Sequence, residues 1–197
     1  MRTAVLPFNA AAETSPALAR QLAAFAAETL RSIGGQINSV NYLAQIDQGG
    51  QQRAAFVNVS DTLNEYSFMD PLFRPGEGAD PQASAERVMD GLLKKVDNGF
   101  EATYRFFSAD SPEPLFTDTV LVNESTIFEV LNKIILKLAE VSETELPEPM
   151  RGGLDFGTDS GKAFLKFLEG YDALSYIQQA NGMVAQEFSP DGAFELF

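Results

Sequence analysis

The sequence contains no cysteine and no histidine among its 197 residues. Without cysteine, disulfide bonds, thiolate nucleophiles and thiolate metal sites are excluded. Without histidine, imidazole bases, Ser-His triads and most zinc sites are excluded as well. Only carboxylate, lysine or tyrosine chemistry is left to this chain.

Positive charge is also scarce, since 14 lysines and arginines face 28 acidic residues and the net charge is −14. Phosphate binding needs clustered basic side chains, so nucleic acid is disfavoured as a partner. The acidic surface also disfavours docking on anionic lipid, and its main consequence is solubility.

Long apolar runs are missing too. No stretch of about 18 apolar residues, the length that spans a bilayer, occurs in the chain. Met1 and Arg2 lead directly into the first predicted strand without a separate apolar region and cleavage site, so we predict no signal peptide, no membrane insertion and a cytoplasmic location.

The first stretch of the chain predicts a strand followed by a long helix. Residues 3–8 (TAVLPF) are an unbroken apolar run, which is typical of a central strand covered on both faces. Thr14 or Ser15 can cap a helix that continues at helical spacing to Ile33, and Gly34 ends it. This order favours an α/β fold.

The middle of the chain is less regular. Alternating stretches within 40–59, separated by a Gly-Gly turn, predict a hairpin. A helix is possible over 60–72, although Pro71 limits or kinks it. Residues 74–84 are rich in proline, glycine and acid, which indicates a loop.

Residues 87–95 have apolar side chains at helical spacing but carry Gly91 in their middle. The sequence Asp97-Asn98-Gly99 is a strong hairpin signal, and 100–106 alternate as a half-buried strand. Because a hairpin needs a partner strand, we assign 87–95 as a strand. A further strand is predicted over 115–122.

The most regular helix is predicted over 124–141, with Asn123 as its cap and an apolar stripe that packs in the core. Glu129 is expected to pair with Lys133 four residues later. Residues 1–142 are therefore predicted to form an α/β domain with a mixed sheet flanked by two long helices.

The composition changes after this domain. Residues 143–160 read as a linker, and 161–197 as a C-terminal helical hairpin with helices over 161–180 and from Ser189 onward. The apolar pattern of the second helix is unfinished at Phe197, so we expect a longer protein in which a further element covers these helices.

Three motifs give the first 142 residues a family resemblance: residues 4–9 (AVLPFN) before a long helix, 87–93 (RVMDGLL), and 100–116 before the closing helix. Together they resemble the TolB amino-terminal-like domain, which is itself similar to the CsgG family. The hairpin at 40–59 and the acidic loop at 74–84 depart from the family pattern.

The tail is similar to the start of a tetratricopeptide-repeat region. Residues 163–171 (AFLKFLEGY) resemble the first helix of such a repeat and 193–197 (AFELF) the start of the second, without the usual tryptophan and proline. The resemblance implies a larger bacterial protein with an α/β head and a repeat array, an architecture associated with scaffolding or protein binding rather than catalysis.

Three stretches come near to known site motifs. Residues 157–163 (GTDSGKA) are one residue short of a phosphate loop and lack its magnesium-binding hydroxyl, and 76–81 (GEGADP) have proline where a dinucleotide motif needs glycine. Glu113, Asp155 and Asp159 fit solvated loop acids better than calcium ligands. We predict no metal site and no cofactor, and the pattern identifies no catalytic residue.

The aromatic side chains of the predicted tail are the candidate interaction residues. They are either core between repeat helices or part of a groove for a partner, with the last of them lying off the main stripe. We therefore predict a non-catalytic interaction or scaffold module. The alternatives are a small-molecule or nucleotide-sensing domain and, less favoured, a carboxylate hydrolase. The four candidates are Phe164, Phe167, Tyr171 and Tyr176.

Overall fold

The computed structural model describes residues 1–40, 43–48, 51–56, 60–76, 84–180 and 184–185. The strands of this part of the chain are β1 (Thr3–Val5), β2 (Asn9–Ala10), β3 (Ile37–Ser39), β4 (Leu43–Gln48), β5 (Gln51–Phe56), β6 (Arg87–Val96), β7 (Gly99–Ser108), β8 (Ser111–Val122) and β9 (Val184–Ala185). Its α-helices are α1 (Pro16–Ser32), α2 (Asp70–Phe73), α3 (Ile127–Ser142), α4 (Glu148–Arg151) and α5 (Gly161–Ala180).

The main sheet is mixed, which confirms the predicted α/β class. Its strand order is β3-β1-β6-β7-β8, and β2 pairs with the far end of β6. β1 runs parallel to β3 and β6, whereas β6, β7 and β8 form an antiparallel meander. As predicted, β1 is central and covered on both faces, because Val5 packs in one apolar cluster and Ala4 in the other.

Helices α1, α3 and α5 contribute to the larger cluster, on one face of the sheet. Ser15 caps α1 by accepting a hydrogen bond from the Leu18 N–H at 3.3 Å. Asn123 accepts from the N–H groups of Ser125 and Thr126 immediately before α3. The predicted cap Ser15 therefore fixes where α1 begins, whereas α3 begins at Ile127, three residues after the predicted start, and Asn123 holds the turn that precedes it.

The strand assignment of 87–95 is confirmed, and Gly91 has a packing reason. A Cβ on Gly91 would lie 2.7 Å from the Phe8 ring and 2.7 Å from the Thr103 carbonyl oxygen. Glycine therefore lets Phe8 lie flat on β6, where a larger residue would collide with both neighbours.

The helix predicted over 60–72 is wrong in its first half. Residues 60–65 are not helical, a 3₁₀ turn spans Tyr66–Met69, and α2 adds one turn. Hydrogen bonds from Asn9 and Arg105 to residues 62–64 hold the 60–65 segment against the sheet instead, as described below. Met69 and Phe73 are buried in the smaller cluster on the second face of the sheet.

The predicted hairpin within 40–59 is confirmed by the antiparallel pairing of β4 with β5. These strands and β9 form a separate sheet, so β3 and β4 are two strands rather than one continuous strand. Residues 77–83 of the predicted loop and the predicted helix from Ser189 lie outside the described residues.

The stretch predicted as a linker contains α4, and Leu154 and Phe156 pack against the larger apolar cluster. Phe164 and Leu168 of α5 are buried in the same cluster. The division into residues 1–142, 143–160 and 161–197 stays a prediction, but the described part of α5 shares its core with the sheet.

Candidate functional site

A buried ion pair lies in the centre of the sheet. Asp90 on β6 has no exposed surface, and Arg105 on β7 donates from Nε to Oδ1 at 3.0 Å and from Nη2 to Oδ2 at 2.6 Å. Burial raises the pKa of Asp90, and the hydrogen bonds and charge of Arg105 counteract part of this rise. The arginine is therefore the counter-charge that permits a carboxylate inside the sheet.

Sequence reasoning missed this pair, although the signal was present. A two-residue turn at Asp97-Asn98 pairs Val96 with Gly99, and counting outward from there places Asp90 directly opposite Arg105. A lone acid in an otherwise apolar strand, opposite an arginine, predicts a cross-strand ion pair.

The ion pair also anchors the segment that follows the β4–β5 hairpin. Arg105 Nη2 donates to the carbonyl oxygen of Asn64 at 2.8 Å. From the other side, Asn9 Nδ2 donates to the Thr62 carbonyl at 2.7 Å and to Asn64 Oδ1 at 3.1 Å. Residues 62–64 are thus fastened to the sheet by both β2 and β7.

The fastened segment forms an open cleft with a volume of about 480 Å³. Asn64 and Thr62 link the cleft directly to Asn9, which follows the carboxyl end of β1. The cleft is lined by Ser60, Thr62, Leu63, Asn64, Glu65, Ser67 and Phe68.

A second buried ion pair joins α1 to α5. Arg20 donates from Nε and Nη2 to the two oxygens of Asp172, at 3.0 and 2.6 Å, and Gln21 Nε2 donates to Oδ1 at 3.0 Å. Asp172 is only 3% exposed. Residues 152 positions apart give no sequence signal, so this pair could not be predicted.

Two of the four predicted interaction residues are buried and two are exposed. Phe164 is buried at the centre of a cluster of rings, and Tyr176 is 1% exposed, contrary to the expectation that it could lie outside the core. Phe167 and Tyr171 are 39% and 36% exposed, and their rings stack with centroids 5.8 Å apart. The Phe164 ring packs against the rings of Phe128, Phe156, Phe25 and Phe167, with centroid distances of 5.2, 5.3, 5.5 and 5.7 Å.

Asp118 on β8 is the centre of a third polar cluster. It accepts hydrogen bonds from Lys133 Nζ at 2.8 Å and from the Tyr104 hydroxyl at 3.1 Å. Lys133 therefore pairs with Asp118 and not, as predicted, with Glu129, because α3 packs across β8. Partial burial raises the pKa of Asp118, but its hydrogen bonds, that of Lys133 foremost, outweigh burial and lower it. Burial, followed by the Asp118 charge, raises the pKa of Tyr104, which keeps this phenol protonated.

The near-match to a phosphate loop has a structural role. The Ser160 hydroxyl caps α5 by accepting from the Ala163 N–H at 3.2 Å. A Cβ on Gly161 would collide with the Glu124 carbonyl oxygen, so this helix start is packed against the protein. The glycine serves close packing rather than the approach of a phosphate.

Two searches of the described residues bear on metal and membrane sites. Within 1–40, 60–76 and 84–180, no three acidic side chains are grouped so that they could hold a metal ion. No helix in the described part of the chain is both long and apolar enough to cross a bilayer.

Comparison with known proteins gives no family match and no match among curated proteins. Among solved structures, TolB from Acinetobacter baumannii is similar with a TM-score of 0.38 and 15% identity, over 72% of this chain and 28% of that chain. The PelC dodecamer from Paraburkholderia phytofirmans has a TM-score of 0.38 and 13% identity, over 72% of this chain and 86% of that chain.

The present chain thus spans less than a third of the TolB chain. TolB, which the sequence motifs suggested, is among the similar structures, but a similarity at this level carries no conclusion about function. The CsgG-like and tetratricopeptide assignments stay predictions.

Proposed function

We propose that this chain is a non-catalytic protein-interaction or scaffold module that binds its partner on the exposed face of α5. The observation that carries the proposal is the stacked pair of Phe167 and Tyr171, each more than a third exposed. Phe164, which packs against Phe167, is anchored in the core. Aromatic side chains held in place by such packing lose little entropy when a partner covers them, and aromatic residues are enriched in interface cores.

Two lysines lie beside the ring pair. Lys162 and Lys166 are exposed one turn apart on α5 and precede Phe167, in a chain whose net charge is −14. Lys166 Nζ donates to Oε2 of Glu169 at 2.7 Å, which holds the lysine side chain in place. A mainly apolar partner segment would be anchored by the rings, and a single acidic side chain in it would pair with Lys162, whereas a strongly acidic partner would be repelled by the net charge of the chain.

The edge of the main sheet is a less suitable docking surface, although Leu115 is 53% exposed there. On β8, the Thr119 N–H donates to Asp118 Oδ1 at 2.9 Å, and the Leu121 carbonyl accepts from the Thr126 hydroxyl at 2.6 Å. These side chains occupy backbone groups that an added strand would need, which is one way in which proteins protect sheet edges.

The absence of catalysis is supported by the chemistry of the acids in the core. The sequence provides no histidine and no cysteine. Asp90 and Asp172 are each held by an arginine, which occupies both carboxylate oxygens. The larger bacterial repeat protein and the cytoplasmic location belong to the same proposal and rest on the sequence motifs.

The proposal is tested by placing a photo-crosslinking phenylalanine analogue at position 167 in the full chain. Irradiation in an extract of the source organism should attach one dominant protein, which is then identified and purified. Its affinity for the chain is measured by calorimetry. We expect the double variant Phe167→Ser/Tyr171→Ser to weaken binding at least tenfold, the loss typical of removing hot-spot residues.

The matched control is Leu115→Ser/Leu121→Ser, which removes two exposed apolar side chains from β8 instead. It should bind the partner as the unmodified chain does. If the crosslink attaches no protein, or if the β8 variant loses as much affinity as the α5 variant, the proposed docking face is wrong. If the attached protein is a second copy of this chain, the module is a self-association module, which sedimentation would show directly.

A further inference from the structure

We propose that Asn98 is a covalent modification site, at which the side chain loses its amide nitrogen and the residue becomes aspartate or isoaspartate. The site lies in the turn between β6 and β7 and does not depend on the proposed interaction function of α5. Three features of the turn carry the inference: the residue after Asn98, the exposure of the Asn98 side chain, and the bond from its carbonyl oxygen to the segment before α3.

The fold requires glycine directly after Asn98. Val96 pairs with Gly99 across the turn, which leaves Asp97 and Asn98 as the two turn residues. Gly99 has a φ of +137°, and a Cβ at this position would collide with the carbonyl oxygen of Val122 on β8. A residue with a side chain is therefore strained here. The backbone nitrogen of Gly99 consequently has no Cβ beside it to hinder its attack on a neighbouring carbonyl carbon.

The Asn98 side chain is exposed. In the part of the chain that the structure describes, no hydrogen bond holds its amide. By contrast, the side chains of Asn9, Asn64, Asn123 and Asn132 are all hydrogen-bonded. An exposed amide that nothing holds can turn towards the backbone nitrogen that follows it, so Asn98 combines the two conditions for loss of the amide.

The reaction needs only water. The backbone nitrogen of Gly99 bonds to Cγ of Asn98 and gives up its proton, while the side-chain nitrogen leaves as ammonia, so that a cyclic succinimide closes. Water then adds to a ring carbonyl and breaks its bond to the ring nitrogen. Opening at Cγ gives aspartate, and opening at the main-chain carbonyl gives isoaspartate, in which the backbone runs through the former side chain.

Isoaspartate changes a bond that links the turn to the segment before α3. The Asn98 carbonyl oxygen accepts from Asn123 Nδ2 at 3.1 Å, and Asn123 Oδ1 accepts from the Thr126 N–H at 3.1 Å. In isoaspartate this carbonyl becomes a free carboxylate, and an additional carbon enters the backbone of the turn. The lengthened turn no longer fits the pairing of Val96 with Gly99. We therefore expect the turn and its bond to Asn123 to loosen together.

The test follows the modification in the full chain during storage in mildly alkaline buffer. Peptide mapping by mass spectrometry, combined with labelling by isoaspartyl methyltransferase, resolves Asn98 from Asn181, which also precedes a glycine. We expect aspartate and isoaspartate at position 98 while Asn38 keeps its amide. Asn38 is the internal control, because it is also exposed but precedes Ser39. A free peptide of residues 94–103, stored in parallel, gives the rate without the folded turn.

Asn98→Gln is the matched control variant. It keeps an amide at the same place, but its longer side chain would have to close a larger ring, so we expect no labelling at position 98. The isoaspartyl form of the unmodified sequence is separated by chromatography and compared with the fresh chain by hydrogen exchange. We expect the amides of Gly99 and Thr126 to exchange about fivefold faster, the change that follows from losing a hydrogen bond worth about 1 kcal/mol.

Three results would overturn the proposal. An intact Asn98 in the folded chain, under conditions that convert the free peptide, would show that the turn protects this bond. Conversion of Asn38 as fast as Asn98 would show general alkaline damage rather than a site. Unchanged exchange at Thr126 in the isoaspartyl form would contradict the link to α3. None of these results affects the α5 docking face, whose test uses different variants and a protein partner.

Discussion

Arg105 binds both carboxylate oxygens of Asp90 across the β6–β7 hairpin and, with the same Nη2 atom, the backbone of Asn64. One guanidinium thus neutralises a fully buried acid and fastens the cleft segment to the sheet. Its plane also lies over the Phe107 ring, 4.8 Å from the centroid. A lysine could not provide these contacts together, because it lacks the planar fork of donors.

We expect Arg105→Met to be strongly destabilising, because it leaves the Asp90 carboxylate buried without its counter-charge. Breaking one partner of a buried pair typically costs about 3–5 kcal/mol of unfolding free energy. Urea denaturation, followed by circular dichroism, measures this loss directly.

The double variant Asp90→Leu/Arg105→Met is the informative companion. It removes both charges and replaces them with apolar groups, so we expect it to be more stable than Arg105→Met alone. A double variant that is no more stable than the single variant would mean that Arg105 stabilises the fold mainly through Asn64 and Phe107 rather than through Asp90.

The stability of the chain should depend on pH through Asp118. Its folded-state pKa lies below the ordinary value, since the hydrogen bonds from Lys133, Thr119 and Tyr104 outweigh the effect of burial. The unfolded chain therefore binds the proton first as the pH falls, and the stabilisation is present above about pH 4 and disappears below it. We expect Asp118→Asn to be less stable than the unmodified chain at pH 6 and to approach it at pH 2–3.

The measurement is a series of urea transitions between pH 2 and pH 7 for both proteins. Asp61→Asn provides the control, as Asp61 is exposed, and substitutions at such positions usually change stability by less than about 0.5 kcal/mol. A stability difference between Asp118→Asn and the unmodified chain that stays constant over the whole range would contradict the lowered pKa.

Glycine substitutions should separate close packing from mere flexibility. Gly91→Ala places a Cβ against the Phe8 ring and the Thr103 carbonyl, so we expect a loss of about 1–3 kcal/mol, and a larger one for Gly91→Val. Gly152→Ala has no atom within 4 Å of the new Cβ and a φ of −88°, so it should be nearly neutral. Equal effects of the two alanine variants in urea denaturation would show that the collision at Gly91 is relieved by movement of Phe8.

The sequence predicts best the elements whose signals are local. The Asp97-Asn98-Gly99 turn correctly fixed β6 as a strand against its helical spacing, and Ser15 correctly marked the start of α1, whereas α3 begins three residues after the start that Asn123 predicted. The register that follows from the same turn also contained the Asp90–Arg105 pair. The Asp90–Arg105 pair of the candidate site could therefore be predicted from the sequence.

The rest depends on contacts between distant segments. Residues 60–65 of the cleft segment are not helical, because bonds from Asn9 and Arg105, about 40 to 55 positions away, override the helical preference of the local sequence. Phe167 and Tyr171 have the same helical spacing as the buried Phe164, and only the packing of α5 on α1 decides which rings remain exposed. Periodicity identifies an apolar stripe but does not show how wide a part of it is covered.

The last prediction concerns whether α5 unfolds together with the sheet. The Arg20–Asp172 pair, the Gln21 bond and the burial of Phe164 tie α5 to α1 and to the core. We therefore expect native-state hydrogen exchange to give the same opening free energy for the amides of α5 and of β7.

Phe164→Ala should lower both opening free energies by about 3–5 kcal/mol, the usual cost of truncating a buried phenylalanine. Phe167→Ala, which truncates an exposed ring of the same helix, is the control and should lower neither by more than about 1 kcal/mol. If instead Phe164→Ala accelerates exchange in α5 and leaves β7 protected, α5 opens separately, and the predicted boundary between residues 1–142 and 161–197 is the correct division of the chain.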